Sequence, residues 1–369
     1  MFDLEKFVSK SSKVGVLYPC NHFALGWKTP GLHRMMGNEM TVSPSPKVVE
    51  AVKAVADKLN WYPEDTLTDE DLRAHLADYV GLPGKADYIT CGNGSMEIID
   101  MLYESFINEG DEIIVSTPDY TLYTNRAHLY GAVVKGVYPK DQDFSYELKD
   151  FTDQITDKTK LIYISRPNNP DGHFVSRELI EGLLKTDLLV SVDEAYYEFG
   201  EDPIEDMVEK YPNLIISHTF SKAMGLAGIR LGWIVARPEV INAVNKVRQS
   251  CNVNLVAHTA AIAAIDDRQY IEKNVQRIIA DRQLFFDAMK AIKGFRPVPS
   301  AANFVMVDTQ ESGVKASDIQ KYLLENGYLV RNWIESRGLP GDRFFRVTIG
   351  THEETAAVIK LIQDFMAKA

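Results

Sequence analysis

Short apolar runs separated by longer amphipathic stretches organise most of this chain. Between residues 86 and 236 seven such runs follow one another: ADYITC, DEIIVS, AVVKGVYP, KLIYIS, LLVSVD, NLIISH and RLGWIVA. Runs of this length, rich in Ile and Val and bounded by turn residues, predict strands. Helical stretches between them predict a mainly parallel sheet covered on both faces, an α/β architecture of about seven strands. Ahead of the runs, PKVVEAVKAVADKLN (46–60) predicts an amphipathic helix opened by proline. TDEDLRAHLADYVGL predicts another, with acidic residues in the first turn where the helix dipole favours them. Residues 1–45 lack such periodicity and are punctuated by Gly15, Pro19, Gly26, Pro30, Gly31, Gly37 and Pro44, so they read as an extended arm. After about residue 245 the pattern changes. A helical stretch over roughly 257–293 precedes NFVMVD, a helix near 316–326, YLVRNW, the turn GLPGD, FFRVTIG and a closing helix, which predicts a smaller α+β domain. The expected organisation is an arm (1–45), a large α/β domain (46–245) and a small domain (246–369).

The polar residues that interrupt this pattern fall at the strand ends. ITC is followed by GNGS, IVS by TPDY, YIS by RPNNP, SVD by EAYYEF and IISH by TFSK. Open α/β sheets bind ligands beyond the carboxyl ends of their strands, so five such clusters in succession point to one site.

Composition narrows the class. With 40 Lys and Arg against 52 Asp and Glu, the formal charge of −12 argues against a nucleic-acid groove or an anionic membrane surface. The hydrophobic content of 45% and the charged content of 25% fit a soluble, cytoplasmic enzyme. No apolar run reaches membrane-spanning length, and MFDLEKFVSKSSK lacks the apolar core of a signal peptide. Cys20, Cys91 and Cys251 show no paired spacing, and the eight histidines form no HExxH, so neither a disulfide framework nor a metal site is indicated.

Lys222 stands in the string HTFSKAMGLAGIRLGW (218–233). A lysine in a tight Gly-rich turn loses hydration, which lowers its pKa and makes a nucleophilic amine. Ser221 and Arg230 beside it suit a phosphate, and the parts together suit a Schiff-base lysine anchoring pyridoxal phosphate. An isolated Ser-Lys pair is more often a solvated loop. Gly92-Asn93-Gly94-Ser95 precedes a helix, and its backbone N–H groups offer an anion site or simply a βα turn. The string is not the GxxxxGK[ST] of a nucleotide-binding loop. Asp193 closes a strand, where a buried carboxylate needs a cation such as a protonated pyridine nitrogen, or serves as a cap. Tyr196 and Asn169 could donate to a phenolate oxygen, and Tyr120 could stack on a planar ring; alone, each tyrosine is more often a packing residue and Asn169 is equally a turn residue. Arg346, among apolar neighbours in FFRVTIG, wants a carboxylate, either a ligand's or an internal one.

Together these strings resemble the fold-type I pyridoxal-phosphate aminotransferases, and among them the histidinol-phosphate aminotransferase branch. The resemblance runs from about Asn38 to the C-terminus. It is carried by NEMTVSPSPKVVEA, WYPE, CGNGSMEII, TPDYTLY, PNNPDG, DEAYYEF, TFSKAMGLAGIRLGW, NVN, SAANFVMV and FRVTIGTHEE. It implies that Lys222 bears the cofactor and later moves protons, and that Asp193 pairs with the ring nitrogen. Asn169 and Tyr196 would contact the phenolate oxygen, and Tyr120 would stack on the ring. Gly94, Ser95, Met96, Ser221 and Arg230 would hold the cofactor through its phosphate. On the substrate side it implies Arg346 as the α-carboxylate clamp, with Asn38 nearby and Tyr62 lent by the second subunit of a homodimer. The arm would fold over the pocket, and small amino and keto acids would be the ligands.

Three departures fall where that family places the substrate end of the pocket. NEMTVS replaces NENPYG, so Val42 stands for a tyrosine; Trp61 replaces the arginine of RYP; and Asp171 replaces the threonine of PNNPTG, with Arg166 just upstream. The resemblance implies a ping-pong transaminase using 2-oxoglutarate. The alternatives are a decarboxylase resembling threonine-phosphate decarboxylase on the same scaffold, and a cofactor-binding regulator, for which the arm offers no helix-turn-helix pattern.

Overall fold

A computed structural model of the chain describes every residue except 1, 18–20, 69, 141–143, 201, 335–336 and 369. Pro19 and Cys20 therefore lie outside the described residues. All seven apolar runs form strands of one sheet, in the spatial order Ile89–Gly92, Gly232–Ala236, Leu214–Thr219, Leu189–Asp193, Thr159–Ser165, Glu112–Ser116, Val133–Val137. Four neighbouring pairs are parallel, while Gly232–Ala236 runs antiparallel to both its neighbours. Ile215, Ile216, Val190 and Val192 are wholly buried, which is why these strands read as unbroken apolar runs.

Helices fill the connections for local reasons. In Arg177–Leu184 the Ser176 side chain accepts a hydrogen bond from the Leu179 N–H, and Leu179, Ile180, Leu183 and Leu184 form the buried face. Each such aliphatic side chain contributes about 1.5–3 kcal/mol by leaving water. Ser95–Phe106 starts beside the Ile89–Gly92 strand and buries Ile98, Ile99, Met101 and Leu102.

A second, antiparallel sheet has the order Arg331–Trp333, Phe344–Thr348, Phe304–Asp308, Arg296–Pro297. The helices Arg268–Lys290, Ala316–Glu325 and His352–Met366 accompany it. One apolar cluster runs from Ile216 and Trp233 in the large sheet through Ala260 and Ala261 to Phe304, Val305 and Val358, so the two sheets share a core.

Two stretches differ from the sequence pattern. Residues 1–45 contain the helices Lys10–Val14 and Asn21–Lys28 and a strand, His33–Arg34, paired in parallel with Tyr328–Leu329. Gly26, which argued against a helix, is there because the Arg34 side chain lies 3.0 Å from where a Cβ would stand. The stretch 257–293 divides into Leu255–Ile265 and Arg268–Lys290. At the break Asp267 accepts from the Ser45 hydroxyl at 2.5 Å and pairs with Lys47 at 3.0 Å.

Candidate active site

The carboxyl ends of the strands open into a cavity of about 520 Å³. Each of the five polar clusters contributes to its wall: Ser95 and Met96, Asp119 and Tyr120, Asn169, Asp193 and Tyr196, Ser221 and Lys222. The adjacency is a consequence of parallel pairing in register, Ser165 beside Asp193 and Asp193 beside Ser217.

On one side the backbone forms an anion cradle. Gly94 precedes the Ser95–Phe106 helix with φ +80, and a Cβ on it would come within 2.4 Å of Arg230 Nη2. The guanidinium therefore lies against the helix N-terminus, where unpaired N–H groups and the helix dipole favour a negative group. Arg230 itself adopts the left-handed conformation, φ +57. The hydroxyls of Thr219 and Ser221 are 3.0 Å apart at the end of the neighbouring strand, and the Ser221 N–H donates to Thr219 Oγ1 at 3.1 Å.

Across the cavity floor, Lys222 Nζ donates to the Gly37 carbonyl at 3.1 Å and sits 5.4 Å from the centre of the Tyr196 ring. Burial, with the Arg346 guanidinium adding repulsion, brings its amine down to about 8. Asp193 is buried at the end of its strand. Its Oδ1 accepts from the Ala195 N–H at 2.9 Å and its Oδ2 from the Tyr123 hydroxyl at 2.6 Å. Burial pushes this carboxyl up, and the Tyr123 hydrogen bond opposes the shift. Tyr123 is absent from the sequence reading, which chose Tyr120 from TPDYTLY. Both line the cavity, with rings edge-on at 5.6 Å.

Asn38, held at φ +55, donates through Nδ2 to the Tyr196 hydroxyl at 3.0 Å. Its neighbour across the second sheet, Thr348, donates to Asn38 Oδ1 at 3.1 Å. Arg346 comes from that sheet too. It donates through Nη1 to Asn169 Oδ1 and through Nη2 to the Met36 carbonyl at 3.0 Å, with Phe304 and Trp333 stacked near it. One of its hydrogen-bonded neighbours is thus an amide of the large sheet's strand-end cluster, Asn169, which accepts through its oxygen.

The pattern of the aminotransferase class I and II family matches residues 34–362. The chain belongs to that family. The histidinol-phosphate aminotransferase of Methanocaldococcus jannaschii is 32% identical over 348 residues, covering 93% of this chain and 92% of that protein. The one from Methanothermobacter thermautotrophicus is 33% identical over 344 residues, covering 93% and 91%. Among solved structures, histidinol-phosphate aminotransferase from Sinorhizobium meliloti in complex with pyridoxal-5'-phosphate superposes with a TM-score of 0.83 at 25% identity, covering 97% of this chain and 98% of that one. The residues here fit such a group. The Gly94–Arg230 cradle suits its phosphate, the space beside Tyr120 its ring, Asp193 its pyridine nitrogen and Lys222 its aldehyde.

Against this family background the far end of the cavity corrects the sequence reading. Arg166 does not face the pocket. It is fully buried on the other side of the chain, paired with Glu194 at 2.9 Å and Asp202 at 2.9 Å, and stacked 4.0 Å from Phe174. Ser165, one residue earlier, lines the cavity; successive residues of a strand point to opposite faces. Val42, Trp61 and Tyr62 are also absent from the wall in this chain, and Tyr62 is 94% exposed. Asp171, buried, accepts from Asn168 Nδ2 at 2.6 Å and the His173 N–H at 2.7 Å, which fixes the turn bearing Asn169.

Three cationic or titratable side chains absent from the sequence reading occupy that end instead. His22 and Arg331 are 3.2 Å apart, and burial with the charges of Arg331 and Arg346 brings the His22 imidazole down to about 4. Arg337 Nη1 donates to the Thr124 hydroxyl at 2.8 Å, and that hydroxyl donates to Asp119 Oδ2 at 2.8 Å. Arg331 lies in YLVRNW, where strand pairing sets it beside Arg346, and Arg337 lies in the following loop; no motif singles them out.

Proposed function

We propose that this aminotransferase moves an amino group between histidinol phosphate, or a related amino acid with an anionic end, and 2-oxoglutarate, in a ping-pong cycle with pyridoxal phosphate. The observation that supports the reading is the gathering of three arginines in the cavity of Lys222: Arg346, its cross-strand partner Arg331, and Arg337 from the loop that follows. Together they offer more cationic donors than one carboxylate needs, which suits a substrate with a second negative group.

Bound there, the cofactor supplies an aldehyde that condenses with amines and a ring that draws electrons from the substrate α-carbon. The chain's own residues provide the rest. Asp193, braced by Tyr123 and the Ala195 N–H, holds the positive ring nitrogen. Tyr196 and Asn169 donate to the phenolate oxygen. Gly94, Ser95, Ser221 and Arg230 bind the phosphate. Lys222, once freed from the cofactor, would hold the substrate's α-proton on Nζ and could return it, since burial brings its amine down to about 8. Arg346 orients the carboxylate when the ligand carries one. Tyr62 acts in the site of the partner subunit.

A single-turnover experiment with the purified holoprotein and a panel of amines tests this. Histidinol phosphate or an acidic amino acid should convert the cofactor to its aminated form, and 2-oxoglutarate should restore it. Reaction with only neutral, non-phosphorylated amines would contradict the anionic-substrate reading. Carbon dioxide released without the aminated form would make the chain a decarboxylase.

A further inference from the structure

Glu194, Glu205 and His218 come from three separate elements: the residue after the Leu189–Asp193 strand, the turn Glu205–Met207 and the Leu214–Thr219 strand. They are 0%, 4% and 1% exposed. One ligand atom from each lies within 4.8 Å of the other two. Spacing along the chain gives no hint of this, so the sequence indicated no metal site. The Glu194 Oε2, Glu205 Oε1 and both His218 nitrogens have no hydrogen-bond partner among the described residues. His218 Nε2 is 3.3 Å from Glu205 Oε1, and the imidazole is fixed between the rings of Tyr197 at 4.8 Å and Trp233 at 5.0 Å.

Carboxyl groups outnumber the cationic side chain they surround. Arg166 pairs with Glu194 Oε1 at 2.9 Å, and its other carboxylate partner, Asp202, reaches towards solvent. Glu198, with both oxygens buried and without a hydrogen-bond partner among the described residues, adds a third carboxylate. Three buried carboxyl groups face one guanidinium here, and a buried carboxylate needs a cation beside it or a proton on it. A divalent cation would meet that need and use the lone pairs that converge.

We propose that Glu194, Glu205 and His218 form a buried divalent-cation site, separate from the cofactor cavity. Two carboxylate oxygens and one imidazole nitrogen in a rigid pocket suit Zn²⁺ or Mn²⁺; Mg²⁺ and Ca²⁺ favour all-oxygen shells. The ion ties together the chain just after Asp193 and the strand that leads to Lys222, so its role is to hold the two ends of the catalytic floor in register.

Metal content measured on untagged holoenzyme, expressed with Zn²⁺ and Mn²⁺ in the medium and dialysed against EDTA, tests the site. About one ion per chain is expected. Folded Glu205→Gln and His218→Gln variants should lose it, whereas Lys222→Ala should retain it, which separates this site from metal carried by the cofactor. Anomalous scattering from wild-type crystals at the metal edge gives an answer even where those variants do not fold, with the peak expected between the three side chains. A holoenzyme that carries no ion, an ion located elsewhere, or folded variants that keep it would overturn the proposal and leave protons in place of the cation. None of these outcomes bears on the aminotransferase reading.

Discussion

Lys222 combines two effects that usually oppose each other. Burial disfavours its ammonium form and lowers it to about 8, while the Gly37 carbonyl and the Tyr196 ring keep the side chain fixed over the cavity floor. Only the neutral amine attacks an aldehyde. Covalent incorporation of pyridoxal phosphate into cofactor-free protein should therefore speed up as pH rises through about 8 and level off above it, followed by the visible absorbance of the bound cofactor. A rise centred near the 10.5 of an ordinary lysine would contradict the burial argument. At Asp193 the prediction is graded. On the proposed function Asp193→Asn would remove an ion pair with the ring nitrogen and should lower kcat/KM by about 10²–10⁴-fold. Tyr123→Phe removes one hydrogen bond to that carboxylate and should cost roughly tenfold. Equal losses would mean that Tyr123 contacts the reacting groups itself. That Lys222, Asp193 and Asn169 share a cavity was legible in the sequence because polar clusters close successive apolar strands, although each residue alone had an ordinary alternative. Arg166 was misread for a related cause: its neighbours in PNNP serve the site, but the strand's alternation turns its own side chain away. Tyr123, the second residue of the helix Leu122–Leu129, gave no cue that it would meet Asp193.

At the scale of elements, the strand-to-helix turn at Gly94 is the part of the cradle least tolerant of change. Its φ of +80 with ψ of 167 belongs to a region that only glycine occupies readily, and Arg230 fills the space a side chain would need. Gly94→Ala should cost roughly 1–3 kcal/mol in a denaturant titration and weaken cofactor binding in a parallel absorbance titration. Unchanged cofactor affinity would show that the phosphate lies elsewhere. Most of the seven strands were legible because burial on both faces makes them apolar runs; Val133–Val137, at the sheet edge and partly exposed, was legible from its valines and the turns around it. The arm's helices were not. Asn21–Lys28 contains a glycine and has no buried residue, so nothing in its pattern marks it as a helix; its His22 and Phe23 line the cavity. The break at Asp267 was likewise hidden, because it is fixed by Ser45 and Lys47, more than two hundred positions away.

For the whole molecule, the exposed aromatic side chains Trp27, Trp61 and Tyr62, at 81%, 69% and 94%, are surface that a second copy would cover. We therefore expect a homodimer by sedimentation. Sharing of sites has its own test. Lys222→Ala and Tyr62→Ala chains, each weakly active or inactive alone, should regain activity when co-expressed, since one site of the mixed dimer then holds both intact residues. If Tyr62 served its own chain, every site would carry a lesion and no recovery would occur. The central claim, that five strand-end clusters converge to make Lys222 the residue that carries the cofactor, is tested most directly by borohydride reduction of the holoprotein followed by peptide mapping. The account predicts that the reduced cofactor is attached to Lys222 and to no other lysine, with turnover lost in proportion. Attachment to a different lysine, or full activity after reduction with Lys222 unmodified, would contradict it.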